Sequence, residues 1–324
     1  MNGNTVSVLA GCILLTAYCQ LLIANCQLIR ANEIVTIQHG NIFRGIPMEI
    51  DINDKEFGLF QRLIYDESGI NLTPAKRELV KSRLMKRLRE RSLTSFKEYY
   101  SYVTEEDTTG EEMVMMLDCI STNLTEFFRE PAHFDFLSKK GLPALLENKR
   151  KKREKKLRIW SAGCSTGEEP YTLSIVLSEH IGATREWDIK ILATDLSTRV
   201  LKKAMQGLYL KNRIKGISPQ MQNTHFKKGE GSLKDYYQVQ DHLRDMIVFR
   251  RLNLTHEIFP FKGHFDFIFC RNVMIYFDKK TQSELVSKFY KHLAPDGYLF
   301  IGHSESLAGT NNKFRYVQPT VYQK

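Results

Sequence analysis

Apolar positions along the chain follow two different periods, and the change between them divides it. From Asp54 to Tyr65, the residues Phe57, Phe60, Leu63 and Ile64 recur at helical spacing, which predicts an amphipathic helix capped at Asn53 or Asp54. Thr73 and Pro74 predict the start of a second helix, with Thr as cap and Pro in the first turn. Along it Val80, Leu84 and Leu88 form a packing side, and Lys76, Arg83, Lys86 and Arg87 gather on a side expected to face out. Leu93 to Val103 and Glu111 to Ile120 read as further helices, so residues 48–122 are expected to form a small all-helical domain.

Beyond residue 123 the pattern becomes one of short apolar runs between helices. Leu157, Ile159 and Trp160 lead into the small residues Ser161 to Gly167, the pattern of a buried strand, a tight turn and a helix start. Asp188 to Asp195 is a second strand, and Ser197 to Gly207 a helix that stops at its glycine. Residues 208–245 carry GEGSLKDYYQV, a turn beside alternating apolar positions, which predicts a small inserted antiparallel β-subdomain. Met246 to Leu254, Phe265 to Cys270, Tyr298 to Gly302 and Tyr316 to Tyr322 read as strands, with a helix over Glu284 to Leu293. Strands alternating with helices over 123–324 predict a parallel, doubly wound α/β sheet.

The chemistry collects where those strands end. Gly163 and Gly167 let a ligand lie against the backbone, and a helix starting near Glu168 aims its amides at the same space. Asp195 ends the second strand, where doubly wound sheets hold an acidic residue for ribose hydroxyls. The turn AGCSTGEEP lacks both G-x-G-x-x-G and GxxxxGK[ST], which argues against a dinucleotide or a nucleoside triphosphate. Glu168 and Glu169 would repel phosphate but suit a ligand with hydroxyls and a cationic centre. The plain alternative for GEEP is a capped helix start with Pro in its first turn. Phe127 and Phe128 call for burial; Arg129 beside them is either carried into a pocket or is a surface arginine after a core pair.

Charge and cysteine content add limits. The 324 residues carry a net charge of +10, and the excess is local: Ala75 to Arg91 holds eight Lys or Arg against two Glu, and Lys149 to Lys156 seven against one. The first run suits an anionic partner; the second is expected to be a solvated helix end or loop. Six cysteines form no CxxC pair, so reduced thiols are expected and no metal site. Residues 1–47 are apolar, with no charge before Arg30. They are expected to reflect a misassigned start, translation beginning at Met48; the alternative is a membrane-anchoring helix. The expected location is cytoplasmic, or membrane-associated if that segment is present.

Asn123 to Arg129 (NLTEFFR), Ala162 to Thr172 (AGCSTGEEPYT), Ala193 to Asp195, Asn253-Leu254, Cys270 to Asp278 (CRNVMIYFD) and His303-Ser304-Glu305, in this order, closely resemble the CheR family from about residue 50 onward. These are chemotaxis receptor glutamate O-methyltransferases that use S-adenosylmethionine. The resemblance implies an all-helical N-terminal domain, then a Rossmann-like class I methyltransferase domain with a small inserted β-subdomain. It further implies that Asn123, Thr125, Arg129, Glu169, Asp195, Asn253, Leu254, Arg271 and Asn272 surround the cofactor, whose product is S-adenosylhomocysteine. The amides of Asn253 and Asn272 would bond the adenine edge or the amino-acid moiety. Arg129 and Tyr276 would lie nearest the methyl transfer, and His303 would cap or pack. Lys76, Arg83, Lys86 and Arg87 then acquire a partner, the acidic helical cytoplasmic region of a methyl-accepting chemoreceptor.

The acceptor would be a glutamate carboxylate, already ionised at neutral pH with a pKa of about 4.3, so alignment and not a general base is the requirement. A nucleic-acid methyltransferase would suit the positive charge, but Cys270 to Val273 replaces the [DN]PP[YF]-like cluster of base-methylating enzymes, and no aromatic platform accompanies the basic helix. A non-catalytic module that senses the cofactor or docks a receptor is the other alternative. A monomer is expected, with no nucleic-acid partner and membrane contact only through receptors.

Overall fold

The computed structural model describes residues 50–181 and 186–324. The expectations for residues 1–47, a misassigned start or a membrane-anchoring helix, lie outside the described residues. Among the described residues no helix is long and apolar enough to cross a membrane.

Polar caps decide where the first helices begin. Helix α1 (Asp54–Ser68) opens on a capping box in which Asn53 Oδ1 accepts from the Glu56 N–H at 2.9 Å and the Glu56 carboxylate accepts from the Asn53 N–H at 2.9 Å. A short 3-10 turn, Pro74–Lys76, precedes α2 (Arg77–Glu90), and Thr73 makes no side-chain cap, so this helix starts later than its sequence suggests. Ser95 caps α3 (Phe96–Ser101), and α4 spans Glu111–Ile120. Phe60, Ile64, Val80, Leu84, Leu88 and Met116 are fully buried in a common core, each contributing roughly 1.5–3 kcal/mol of transfer free energy.

One member of the basic face departs from expectation. Arg87 is 5% exposed, with Nε donating to Glu112 Oε1 at 2.8 Å and Nη2 to Glu112 Oε2 at 2.6 Å. Glu112 is fully buried on α4 and also accepts from Arg91 Nε at 2.7 Å and the Tyr99 hydroxyl at 2.9 Å. Arg87 is therefore a packing cation that joins α2 to α4, not a group held out for a partner.

Two helices that the sequence pattern did not predict, α5 (Pro131–Phe136) and α6 (Leu142–Lys151), lead into the sheet. The basic run is only partly solvated. Lys149 is buried and pairs with Asp266 at 2.9 Å and Glu154 at 2.7 Å.

The sheet comprises β1 (Lys156–Ala162), β2 (Asp188–Asp195), β6 (Ile247–Arg251), β7 (Phe265–Cys270), β8 (Leu293–Ile301), β9 (Arg315–Gln318) and β10 (Val321–Gln323), in the order β6-β2-β1-β7-β8-β10-β9. Helices α7 (Glu168–Ile181), α8 (Thr198–Gln206) and α11 (Lys279–His292) lie between strands in the chain. The five strands from β6 to β8 pair in parallel. All six residues of β7 are buried, as expected of a strand covered on both faces. The sheet is mixed, however: the stretch expected as one last strand breaks at Pro319-Thr320, where Thr320 has φ 63°, and both β10 pairings are antiparallel.

Between β2 and β6 the chain forms the expected antiparallel insertion, β3 (Leu208–Leu210), β4 (Phe226–Lys228) and β5 (Tyr236–Val239), in the order β3-β5-β4, with short helices α9 (Pro219–His225) and α10 (Asp241–Arg244).

Polar contacts tie the helical part to the sheet. The Tyr65 hydroxyl donates to Asp278 Oδ2 at 2.7 Å, and the Asn71 N–H to the Tyr276 carbonyl at 2.8 Å. Asp118 of α4 accepts from Thr198 Oγ1 at 3.0 Å and the Arg199 N–H at 3.2 Å, capping the start of α8.

Candidate active site

A cleft lies at the carboxyl ends of β1, β2 and β7, the place where open α/β sheets bind ligands. Its walls come from both parts of the chain: Lys76, Leu79 and Arg83 of the helical part, the segment 120–126 with Arg129, and Gly163, Glu169, Asp195, Leu254, Arg271, Asn272 and Tyr276 from the sheet side. Asn123, Thr125 and Asn253 also line it, so every cofactor residue implied by the resemblance borders one space.

The glycine turn after β1 has a definite reason to be glycine. Gly163 has φ 91°, its N–H donates to the Thr194 carbonyl at 2.8 Å, and a Cβ there would stand 2.4 Å from Val273 Cγ2. The next turn residues hold Asp195, whose Oδ2 accepts from the Ser165 N–H at 2.8 Å and whose Oδ1 accepts from the Ser197 N–H at 2.9 Å. Burial pushes the Asp195 carboxyl above its ordinary range, and these amides only partly offset it. Glu169 follows the same logic: burial raises it, while Arg271 and the Ser161 hydroxyl, donating at 3.1 Å and 2.7 Å, pull the other way.

Three of the expected groups are oriented by neighbours. Arg129 Nη1 donates to the Leu124 carbonyl at 2.8 Å and Nη2 to Asn272 Oδ1 at 3.0 Å, so the guanidinium enters the cleft and does not remain a surface group. Phe127 beside it is buried between Tyr209 and Phe226 of the inserted subdomain, with ring centroids 4.9 Å and 5.5 Å away. Arg213, next to that subdomain, donates to the Thr125 carbonyl at 2.8 Å and to Glu168, bracing the same loop. Arg271 is buried between Glu169 and Glu130.

The asparagines differ in how far the protein itself engages them. Asn253 Nδ2 donates to the Glu67 carbonyl at 2.7 Å, and its oxygen accepts from the Thr255 N–H and hydroxyl at 3.0 Å and 2.8 Å. The Asn272 amide sits between Arg129 and Glu130. These bonds fix the orientation of both amides at the cleft wall, and each NH2 keeps a second N–H for a ligand. Asn123 is engaged least: its buried Nδ2 has no hydrogen-bond partner. An orphaned donor beside two desolvated carboxylates fits a hydroxyl-bearing, positively charged ligand.

The substrate-facing residues also separate. Arg83 bonds the Ile120 carbonyl and Thr122 Oγ1, holding the cleft's entrance segment. Lys76 Nζ lies 5.7 Å from the centre of the Tyr276 ring. Lys86 is exposed, its side chain 71% accessible and its Nζ 3.7 Å from Glu90 Oε1.

Sequence reasoning gave no role to Glu130, Ser165, Arg213 or Glu305. Glu305 accepts from the Asn272 N–H at 3.0 Å and the Ile275 N–H at 3.3 Å, holding the turn after β7. Its place in the quoted His303-Ser304-Glu305 block was the available signal; His303 itself is exposed, its ring 5.3 Å from that of His133.

Comparison with known proteins gives this architecture a family. Residues 123–323 match the CheR methyltransferase, SAM binding domain, and residues 55–121 the CheR methyltransferase, all-alpha domain. A chemotaxis protein methyltransferase of Borreliella burgdorferi is 42% identical over 278 residues, 86% of this chain and 96% of the relative. That of Escherichia coli is 38% identical over 84% of this chain and 91% of its own length, and chemotaxis protein methyltransferase 2 of Pseudomonas aeruginosa 39% identical over 85% and 94%. With both domains matched and relatives of this identity aligned along most of their length, the chain belongs to the CheR family of S-adenosylmethionine-dependent chemotaxis methyltransferases.

Proposed function

We propose that this protein methylates the side-chain carboxylate of specific glutamates in the acidic helical cytoplasmic region of chemoreceptors, giving glutamate methyl esters. When bound, S-adenosylmethionine supplies an electrophilic methyl group on a cationic sulfur. Asp195, Glu169 and the free Asn123 amide are the groups fitted to hold its hydroxyls and polar edges. Gly163 leaves room for close approach, and Leu254 gives an apolar wall.

The observation that carries the reading is the state of Arg129. Its guanidinium lies in the cleft and bonds only two neutral acceptors, Leu124 O and Asn272 Oδ1, so its charge is left for an incoming carboxylate. Arg271, by contrast, already has Glu130 and Glu169. A glutamate held by Arg129 with Tyr276 nearby needs no base, because it is ionised at neutral pH. The arginine fixes its orientation and excludes water, with the fork geometry suited to carboxylates. The two amides that hold Arg129 prevent it from following the nucleophile into a closed ion pair. Lys76 and Lys86 extend positive charge outward and favour an acidic helix over a neutral one.

Labelled cofactor offered with receptor cytoplasmic fragments or with DNA tests the assignment. The expected label is base-labile and confined to receptor glutamates. Base-stable label on DNA would overturn the proposal in favour of a nucleic-acid enzyme, and binding of cofactor and receptor without any transfer would leave a docking module. Arg129→Ala should abolish ester formation while leaving the circular dichroism spectrum unchanged.

A further inference from the structure

We propose that Glu130 is a positioning residue for methyl transfer, fixing the Asn272 amide and the Arg271 guanidinium and, through them, Arg129, without touching either reactant. The inference rests on the reading above, in which Arg129 orients the acceptor carboxylate. Glu130 is absent from the cleft's walls. It occupies the cap position before α5 with φ 58°, a left-handed backbone that costs a non-glycine residue about 1–2 kcal/mol.

Its oxygens gather donors from three directions. Oε2 accepts from Arg271 Nε at 3.3 Å and Nη2 at 3.1 Å; Oε1 accepts from Asn272 Nδ2 at 3.1 Å and from the His303 N–H at 3.2 Å. The Asn272 contact has a directional consequence. An ionised carboxylate only accepts and a guanidinium only donates, so the NH2 of Asn272 must face Glu130 and its oxygen must face Arg129. Turning the amide over would set donor against donor at Arg129. The carboxylate of Glu130 thus decides which atom Arg129 meets.

The second route runs through Arg271. Held by Glu130 on one side and by Glu169 on the other, it also donates through Nη2 to the carbonyl of Arg129. Both the side chain and the backbone of Arg129 are therefore gripped by residues that Glu130 orients. Burial tends to raise the Glu130 carboxyl, but Arg271, the Asn272 amide and the His303 N–H outweigh it and hold it below the usual range, so it remains an acceptor at neutral pH. The ligand atoms of Glu130, His133 and His303 come within 4.8 Å of one another, a spacing that could suggest a metal. The oxygens of Glu130 are already taken by the Arg271 cation and by the N–H groups of Asn272 and His303.

The test is kinetic, on the full chain with a receptor fragment. Glu130→Gln keeps the shape but presents one acceptor and one donor group to a set of donors. Its kcat should fall by about 10–100-fold, the cost of a displacement on the order of 1 Å at a reacting group, while the Kd for S-adenosylhomocysteine by calorimetry changes less than about 5-fold. Glu130→Asp, one methylene short but still charged, should recover part of the loss and serves if the Gln variant does not fold. In an Arg129→Lys background, which keeps the charge but loses the fork held by Asn272 and is expected to retain measurable turnover, Glu130→Gln should bring no further loss. A lowered melting temperature with wild-type kcat, or losses that add fully in the double variant, would overturn the inference. Undiminished turnover in Arg129→Ala alone would instead sink the role given to Arg129.

Discussion

Replacing Arg87 by alanine should unfold the helical part of the protein more readily without weakening its grip on an acidic partner. The arginine makes two bonds of 2.8 Å and 2.6 Å to Glu112, whose side chain is fully buried, and a third to Glu90. Deleting one partner of a buried pair costs about 3–5 kcal/mol, because the remaining charge keeps its desolvation penalty. Arg91 Nε, 2.7 Å from the same carboxylate, and the Tyr99 hydroxyl at 2.9 Å retain part of the compensation. The lower end, about 3 kcal/mol, is therefore expected. Urea unfolding followed by far-ultraviolet circular dichroism reads this as a shifted midpoint. The triple change Arg87→Met, Glu112→Leu, Tyr99→Phe, which removes the buried charges and the hydroxyl that serves them, should recover to within roughly 1 kcal/mol of the parent. Receptor KM should be unchanged in every variant that folds. An Arg87→Ala protein with the parental midpoint and a several-fold higher KM would refute the reasoning and return Arg87 to the recognition surface.

Lys76→Glu combined with Lys86→Glu, unlike any change at Arg87, should raise the receptor KM several-fold at low salt, less at high salt, and leave cofactor affinity intact; steady-state kinetics at two ionic strengths checks this. Gly163→Ala forces a side chain into φ 91° and against Val273, 2.4 Å from the new Cβ, so calorimetry should find cofactor-product affinity reduced at least 10-fold, with Val273→Ala relieving the clash but not the backbone strain of about 1–2 kcal/mol. Burial, aided by Arg271, pushes His133 down to about 3, against the attraction of Glu130 and with His303 nearby, so the folded protein binds fewer protons than the unfolded chain between about pH 6.5 and 3. Stability should accordingly fall as pH drops through that window, and the stability gap between the parent and His133→Gln should narrow by about 2 kcal/mol from pH 7 to pH 5, at about 1.4 kcal/mol per unit below 6.5.

What could be read from the sequence was whatever is decided locally. The cap of α1 at Asn53, the bounds of α4, the stop at Gly207 with φ 60° and the acidic end of β2 all depend on residues within one turn of each other. The fate of Arg87 depends on Glu112, 25 positions away on another helix, and nothing in the spacing of α2 distinguishes an arginine that meets a buried carboxylate from one that meets water. Lys149 is the same case, since its partner Asp266 arrives from β7. Helices α5 and α6 and the turn between them carry apolar residues at Phe134, Leu137, Leu142, Leu145 and Leu146, but Pro131, Pro143 and the basic run that follows interrupt the pattern. Pro319 was a visible strand breaker in the stretch that became β9 and β10. The amide roles of Asn253 and Asn272 needed three dimensions, because their partners lie on α1 and beside α5.

The arrangement of charge in the cleft explains why the proposed reaction would place an acid floor below a basic rim. Glu169 and Asp195 are held above their ordinary range by burial, so each keeps an unmet demand for a donor or a positive charge, and a cationic, hydroxyl-bearing cofactor answers it. At the rim Lys76, Arg83 and Arg129 have no carboxylate partner among the described residues, and Arg129 bonds only a carbonyl and an amide oxygen. Had Arg271 also been left bare, it would compete with Arg129 for the incoming glutamate and pull the nucleophile toward the cofactor's anchors. Glu130 removes that competition by taking Arg271 on its other side. In the proposed reaction the acceptor would then meet Arg129 with its orientation already set, which would align the carboxylate without the tight pairing that would quench it as a nucleophile.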